Sequence, residues 1–375
     1  MKKIFCALAL SLALVSCADT CDEIVLFPES DFNAEVDGKQ VSIYTLKAGD
    51  VVMQVTNYGA RVVSIWTPDK NGHYEDVVLG YNNINDYLDN SGERFLGAVV
   101  GPYANRIAGG TYTIGEEVYN FPLNNNGQTL HGGLIGLDRV VWTVDSVDVD
   151  TIVLSNLRPD GQEGMPGNLN IVMTYTLTPE NEFRIDYEAE TDKATHVNIS
   201  QHSFFNLKGE GNGTITDNVM VINASHTTPV DKFLIPSGEI ADVTGTPFDF
   251  REPLVIGERI DAENEQIANG LGYDHNCVLD RKTPDQVEFA ASVYEPASGR
   301  FLEVFTDQPS MQFYSGNFFN GKAVGKYGKT LNYRESLALE TQKYPDTPHH
   351  DNFPSTLLNP GEKYTHTCIY KFSTK

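Results

Sequence analysis

Two ionisable side chains, far apart in the chain, stand out as candidates for acid–base chemistry. His202 lies in the segment HVNISQHSFFNLKG, where aromatic, hydroxyl and amide side chains surround it. A titratable group among apolar rings and polar amides suits a small polyhydroxylated ligand. The same flanks also suit a histidine that is simply packed in the core or at a sheet edge. The sequence around His202 leaves both interpretations open.

Glu340 is the second candidate. It follows the apolar run 337–339, which has the character of a buried strand. A carboxyl group at the end of a buried strand is costly unless it is hydrogen-bonded or has a functional role. Glu340 is therefore predicted to be either well paired or part of a site.

Glycine-rich loops carry further polar candidates. Arg106 lies in the glycine-rich segment 94–112, and His131 stands directly before Gly132 and Gly133. Glycine lets the backbone approach a ligand closely, and a guanidinium presents a planar set of donors to hydroxyl groups. Arg106 is equally suited to a structural pair with a buried carboxylate, and His131 to simple packing.

Later segments are less distinctive. Asp274 precedes His275 in the segment GLGYDHNCVLD, and the proline-rich segment 227–252 is expected to carry structure more than chemistry. The pair His349 and His350 could suggest a metal. Because adjacent side chains of an extended chain point to opposite faces, a solvated loop is the preferred interpretation.

Short alternating apolar runs separated by turn residues continue along the chain after about residue 35. Runs at 41–46, 51–56 and 61–67 are typical, and Gly115 marks one of the hairpin turns. Helical periodicity is scarce, although 81–88 and 254–260 are each expected to hold a short helix. Many short strands at this spacing predict an all-β fold, a large antiparallel β-sandwich or barrel, with few short helices. No linker divides the chain, which predicts a single domain over residues 35–375.

The composition limits the classes of partner. Hydrophobic residues make up 40% of the chain, which is enough for a large core, and the formal net charge is -24. A surface of this sign repels phosphate groups, which argues against nucleic acid and phosphorylated substrates. The cysteines and histidines lack zinc-site spacing, while the acidic surface leaves a weakly bound Ca²⁺ open. A bridge between Cys277 and Cys368 is also left open.

The first residues predict export. A short basic region precedes an apolar run over residues 4–15, and Ser16 then stands before Cys17. This is the pattern of a signal peptide, which is too short for a membrane span. Its LVSC ending resembles a bacterial lipobox, in which Cys17 becomes the lipid-modified first residue. We therefore expect a signal peptide over 1–16, a tether over 17–34, and a cell-envelope lipoprotein that meets a membrane only through its lipid.

Seven segments together resemble the aldose 1-epimerase (galactose mutarotase) family, in the order that this family carries them. They are GPYANRIAGGTY, LHGG, NISQHSFFNL, VDKFLIPSGE, GYDHN, MQFYSGNF and LALETQKYPD, and the similarity covers about residues 35–373. The resemblance implies a β-sandwich of the galactose-mutarotase type. It also implies a monomeric isomerase that needs no cofactor and interconverts the α and β anomers of hexoses such as glucose and galactose.

The resemblance also assigns roles to residues. It makes Glu340 the general base, expected to be ionised, and His202 the general acid, expected to donate near neutral pH. The positions that match the family's sugar-hydroxyl contacts are Asn105, Arg106, His131, Asp274 and Gln312. Two neighbours depart from the family pattern, because Pro102 stands where arginine is common and Phe204 where tyrosine is common. These departures bear on sugar preference more than on the reaction.

Two other functions suit a β-sandwich with polar loops. A surface carbohydrate-binding module would need no base opposite His202, and sugar binding without mutarotation would select it. A glycoside hydrolase or lyase would need a second, suitably spaced carboxylate such as Asp274, and release of new reducing ends would select it.

Overall fold

The computed structural model describes residues 24–89 and 92–375. The predicted signal peptide and Cys17 lie outside the described residues. The first third contains α1 (Glu29–Phe32), β1 (Ala34–Val36), β2 (Lys39–Val41), β3 (Ile43–Ala48), β4 (Val51–Thr56), β5 (Arg61–Pro68), β6 (Tyr74–Asp76), α2 (Ile84–Leu88), β7 (Ala98–Val100), β8 (Arg106–Ile107), β9 (Thr111–Ile114), β10 (Glu117–Asn120) and β11 (Thr129–Leu130).

The middle of the chain, residues 143–255, contains strands joined by loops and no α-helix. It contains β12 (Thr143–Val147), β13 (Thr151–Arg158), β14 (Leu169–Leu177), β15 (Glu182–Thr191), β16 (Thr195–His196), β17 (Ser200–His202), β18 (Val219–Ile222), β19 (Ala224–Thr227), β20 (Ala241–Asp242) and β21 (Leu254–Val255). The last part contains α3 (Glu265–Gly270), β22 (Asp274–Leu279), β23 (Glu288–Tyr294), β24 (Arg300–Thr306), β25 (Ser310–Tyr314), β26 (Ala338–Gln342), β27 (Leu357–Leu358) and β28 (Tyr364–Thr374).

Three larger sheets organise these strands. A nine-stranded sheet has the order β12-β13-β14-β15-β28-β24-β23-β18-β21, a five-stranded sheet the order β20-β19-β22-β25-β26, and a four-stranded sheet the order β3-β4-β5-β6. Neighbouring strands in all three sheets pair antiparallel, for example β14 with β15 and β25 with β26. The prediction of an antiparallel all-β fold with few short helices is confirmed.

The main hydrophobic core contains side chains from all three sheets. In β14 every second side chain is buried, as expected for a strand with one face on the core. In β26 all five residues are buried, so this strand is covered on both faces. The polar side chains of β26 therefore lie inside the protein, where they need partners or a function.

The predicted helices are partly confirmed. Within 81–88, α2 forms, and the side chain of Asn83 accepts the backbone N–H of Asp86 at its start. The helix expected at 254–260 is wrong. Leu254 and Val255 instead form β21, and Gly257 lies in a single 3₁₀ turn. The helix α3 was missed, although Asn264 caps it and was a readable start signal.

The described part of the predicted tether packs on the domain. The backbone N–H of Phe27 donates to Oε1 of Gln54 at 2.8 Å, and the side chain of Phe32 is fully buried. Within residues 24–89 and 92–375, no helix has the length and apolar character to cross a membrane. Cys277 and Cys368 are buried free thiols, and burial raises the pKa of each to about 12.

Candidate active site

A cavity of about 540 Å³ brings most of the predicted site residues together. The predicted residues that line it are Asn105, Arg106, His131, His202, Asp274 and Glu340. Gln312 is not part of the lining, since it lies behind Asp274 and donates from Nε2 to Oδ1 of that carboxyl group at 2.8 Å. The structure thus places Gln312 where it orients a cavity residue.

The five-stranded sheet sets the position of Glu340. Gln312 on β25 is the direct cross-strand partner of both Asn276 on β22 and Glu340 on β26. Side chains opposite one another in neighbouring strands share a face, so these three form a polar row across the sheet. Glu340 therefore lies in the middle of its strand, and the expectation that it ends a strand is wrong.

His202 reaches the cavity from a strand outside the five-stranded sheet. It ends β17, which pairs with β7, and its Nε2 lies 3.4 Å from Oε1 of Glu340. The two side chains are only 7% and 3% exposed. Nδ1 of His202 and Oε2 of Glu340 are buried and have no hydrogen-bond partner among the described residues. Buried polar atoms without partners are costly, which marks this pair as a place where a ligand completes the hydrogen bonding.

Aromatic rings fix the orientation of the His202 imidazole. Phe95 stacks on it with ring centroids 5.8 Å apart, and Phe204 lies 4.6 Å away on a tilted plane. His131 contacts it edge-on at 5.2 Å. Phe204 contributes apolar support and no hydroxyl group.

Burial sets the protonation of the pair. It raises the pKa of Glu340 well above 4.5, and the charge of Asp274 raises it further while Arg106 opposes this. Burial also lowers the pKa of His202 to about 3. Both shifts disfavour the charged forms. At a pH between the two pKa values the pair holds one proton in total. The folded environment thus shifts the pKa of each group away from the charged form that the sequence led us to expect.

His131 is held as a neutral hydrogen-bond donor. The imidazole Nδ1 of His131 accepts the backbone N–H of Asn105 at 3.0 Å, and the backbone N–H of His131 donates to the backbone carbonyl of Asn105 at 3.0 Å. Both residues have positive φ, 51° for His131 and 62° for Asn105, a conformation that is uncommon for histidine. Burial holds the pKa of His131 well below 6.5. With Nδ1 accepting, the proton resides on Nε2.

His131, His202 and Glu340 bring atoms that could bind a metal within 4.8 Å of one another. A metal would need the lone pair of His131 Nε2, and the remaining proton would then sit on Nδ1. That proton would face the N–H of Asn105, so two donors would oppose each other. The donor set is therefore suited to binding hydroxyl groups and not to binding a metal ion.

Arg106 provides positive charge on the wall of the cavity. Its Nε donates to Oδ1 of Asn125 at 3.3 Å, and its charge lowers the pKa of both Glu340 and Asp274. The structural pairing with a buried carboxylate that was considered for Arg106 is not made within the described part of the chain, and the buried Asp138 pairs with Arg94 at 2.7 Å and with Arg61 at 3.8 Å. Arg106 is not among the ion pairs of the described residues, which leaves guanidinium donors for a ligand.

Two histidine segments lie outside the cavity. His275 is buried beside Phe248, and its Nδ1 accepts the backbone N–H of Asp274 at 3.0 Å. His349 and His350 both approach Asp346, at 2.7 and 3.5 Å, because the chain forms a 3₁₀ turn there. The chain is therefore not extended at this pair, and the two side chains are 33% and 17% exposed.

Several lining residues were not predicted from the sequence. They are Glu93, Phe95, Asn125, Lys232, Phe233 and Phe318. Lys232 and Phe233 belong to the proline-rich segment that was expected to carry structure more than chemistry, and the structure places both on the cavity wall. Phe233 and Phe318 are 41% and 48% exposed, but a single sequence does not show which aromatic residues remain on the surface.

A β-sandwich whose cavity presents a buried carboxyl–imidazole pair among hydroxyl-binding groups defines a carbohydrate-converting enzyme. A family model described as Aldose 1-epimerase matches residues 42–371. Galactose mutarotase of Mus musculus is 41% identical over 336 residues, which cover 90% of this chain and 95% of the mouse protein. Aldose 1-epimerase of Escherichia coli is 34% identical over 340 residues, which cover 90% of this chain and 96% of that protein.

Solved structures give the same result. An aldose epimerase homologue from C. elegans superposes with a TM-score of 0.82 at 28% identity, covering 89% of this chain and 99% of the other. Galactose 1-epimerase from Lactobacillus acidophilus has a TM-score of 0.79 at 30% identity, covering 91% and 97%. The chain belongs to the aldose 1-epimerase family and is a mutarotase, an isomerase that acts on carbohydrates. The binding-module and hydrolase alternatives are not favoured.

Proposed function

We propose that the cavity binds a free aldohexose, with galactose and glucose as substrates, and that Glu340 and His202 together carry the proton transfers. The observation that supports this most directly is the 3.4 Å contact between two buried groups whose outer atoms have no partner. Relatives named galactose mutarotase, such as the mouse protein, support galactose as a substrate.

Mutarotation needs two proton transfers at neighbouring oxygens. The C1 hydroxyl loses its proton to a base, the ring oxygen gains a proton from an acid, and the C1–O5 bond breaks to give an open aldehyde. Rotation about C1–C2 and reclosure then give the other anomer. One group must accept while the other donates, so the reactive pair holds one proton in total. On reclosure Glu340 and His202 exchange roles, which returns the pair to its starting state.

The remaining cavity residues supply the orientation that this chemistry needs. Nε2–H of His131 and the guanidinium of Arg106 donate to sugar hydroxyls, and the carboxyl group of Asp274, held by Gln312, accepts from them. Fixing the ring places C1 and O5 against the proton-transfer pair and removes the entropy cost of orientation from the reaction. All atoms and protons balance within sugar and protein, so the proposed reaction requires no cofactor.

Polarimetry tests this function. Freshly dissolved α-galactose and α-glucose should reach the equilibrium rotation much faster with the purified protein than in buffer alone. The boiled protein gives the control for catalysis by buffer or carried-over salts. Tight binding of either sugar without faster mutarotation would contradict the proposal.

The pH dependence of kcat/KM follows from the pKa shifts. Activity needs a pair with one proton, and it is lost on the acid side when a second proton binds and no base remains. Because burial lowers the pKa of His202 to about 3, we expect the midpoint of the acid limb to lie below pH 4.5, the ordinary value for glutamate. Rates corrected for buffer catalysis, with circular dichroism to exclude unfolding, measure it. A midpoint at or above pH 4.5 in folded protein would contradict the shared-proton description.

For location, we propose an exported lipoprotein anchored through Cys17, supported by the basic, apolar and small-residue order of the first residues. The wild-type protein expressed in a bacterial host should enter the membrane fraction and acquire a lipid label. Cys17→Ser should lose both, while Cys277→Ser should keep both. Equal labelling of the wild type and Cys17→Ser would refute the anchor.

A further inference from the structure

A second depression lies beside the active-site cavity. Its volume is about 560 Å³, and residues 260–265 and Tyr333 form much of its wall. Ala268 and Leu271, near the end of α3, line both spaces. The two spaces therefore share part of their wall, and a ligand that occupied both would cross Leu271.

Leu271 is an unusual residue for its position. It follows α3 in the left-handed conformation with φ 55°, and its side chain is 56% exposed. Glycine or asparagine usually occupies this place after a helix, since other side chains are strained there. Gly270 and Gly272 flank it, so glycine is present nearby but not at the strained position. An exposed leucine in this strained conformation contributes little to the stability of the fold. Its position on the boundary of the two cavities lets it make an apolar contact with a ligand.

Tyr333 offers a fixed aromatic surface in the second depression. It is 45% exposed, and its hydroxyl donates to the carbonyl of Leu271 at 3.3 Å. The guanidinium carbon of Arg334 lies 4.5 Å from the ring centroid, and Arg334 is itself held by two hydrogen bonds of 2.8 and 2.7 Å to Asp261. A rigid, half-exposed tyrosine ring is well suited to pack against the C–H face of a sugar ring.

The polar part of the wall is acidic. Glu263 and Glu265 are exposed, and the carboxylate of neither has a hydrogen bond or ion pair among the described residues. Carboxylates accept hydrogen bonds from sugar hydroxyls and repel anionic ligands. The chemistry of the depression therefore favours a neutral carbohydrate.

We infer that Leu271 and Tyr333 form a subsite for a second sugar ring, so that the enzyme prefers the reducing end of a disaccharide to a free hexose. The inference rests on the proposed function, because the reducing ring must occupy the cavity beside Glu340 and His202. The active-site cavity alone, at about 540 Å³, is already larger than one hexopyranose fills. Binding energy from the second ring would position C1 of the first.

Initial polarimetric rates with four freshly dissolved sugars test this subsite: α-galactose, α-glucose, α-lactose and β-maltose. For the wild type, we expect kcat/KM for at least one disaccharide to exceed that for either hexose about tenfold. Tyr333→Ala should raise KM for that disaccharide about tenfold and leave KM for both hexoses within about twofold of the wild-type value. Tyr333→Phe should retain the preference, because the ring face remains. Leu157→Ala, which removes a 64% exposed leucine on β13, is the control and should leave kcat and KM for all four sugars unchanged.

Three results would overturn the subsite. The first is a wild type whose kcat/KM for the hexoses equals or exceeds that for both disaccharides. The second is a Tyr333→Ala variant whose kcat/KM falls equally for hexoses and disaccharides. The third is a Tyr333→Ala variant whose kcat/KM falls for neither. Wild-type protein without activity on any of the four sugars would instead overturn the proposed function itself, and the subsite with it.

Discussion

Replacing Glu340 by glutamine is expected to lower kcat for mutarotation of galactose about 10³-fold or more, while KM changes by less than about threefold. Glutamine keeps the shape of the side chain and its place in the polar row of β22, β25 and β26. It removes the group that carries the shared proton of the pair, so neither proton transfer can be completed.

The stability of this variant separates catalysis from folding. Burial raises the pKa of Glu340 well above 4.5, which means that the protein does not gain stability from its charge. We therefore expect the thermal unfolding midpoint of Glu340→Gln to equal or exceed that of the wild type. Glu303→Gln, which changes a half-buried carboxyl group on β24 of the nine-stranded sheet, is the matched control and should keep full activity. A Glu340→Gln enzyme with kcat within tenfold of the wild type would rule out its role in proton transfer.

Replacing His202 by asparagine is expected to have the second largest effect, a fall in kcat of about 10²–10³-fold. Asparagine can fill part of the space between Phe95 and Phe204, but its amide cannot take up and release a proton near neutral pH. Stopped-flow or manual polarimetry over a range of galactose concentrations gives kcat and KM separately.

His196→Asn is the matched control for this variant. His196 is also a buried histidine, its pKa is lowered to about 4 by burial, and its Nδ1 contacts Oγ1 of Thr356 away from the cavity. Removing it should cost stability and leave kcat of the folded enzyme unchanged. Equal, small losses of kcat in both variants would mean that His202 is a packed histidine, which is the other interpretation that its flanking sequence permits.

Local features were predicted correctly where the effect of a residue depends only on its neighbours in the chain. The alternating run 51–56 became β4 at the same bounds, and Asn83 started α2 by accepting a backbone N–H. The error at 254–260 arose because Leu254 and Val255 gain more from pairing with β18 than from a short helix that Gly257 would weaken.

The residue types of the site were also readable, because a carboxyl group, an imidazole and a guanidinium in polar or glycine-rich segments are recognisable without a structure. Their order along the chain matched one family, and that match pointed to six residues that line one cavity. Residues such as Phe95 and Phe233 carry no comparable signal, since an aromatic side chain has the same appearance in a core and on a cavity wall.

The sequence by itself therefore determined the antiparallel strands, the family and the chemical groups that the reaction needs. Only the tertiary structure decided how these groups behave. Pairing of β26 within the five-stranded sheet and of β17 with β7 places Glu340 and His202 3.4 Å apart. Burial by several distant segments then raises the pKa of Glu340 and lowers that of His202. Distances and desolvation depend on every element packed around a group, so no local stretch of sequence contains them.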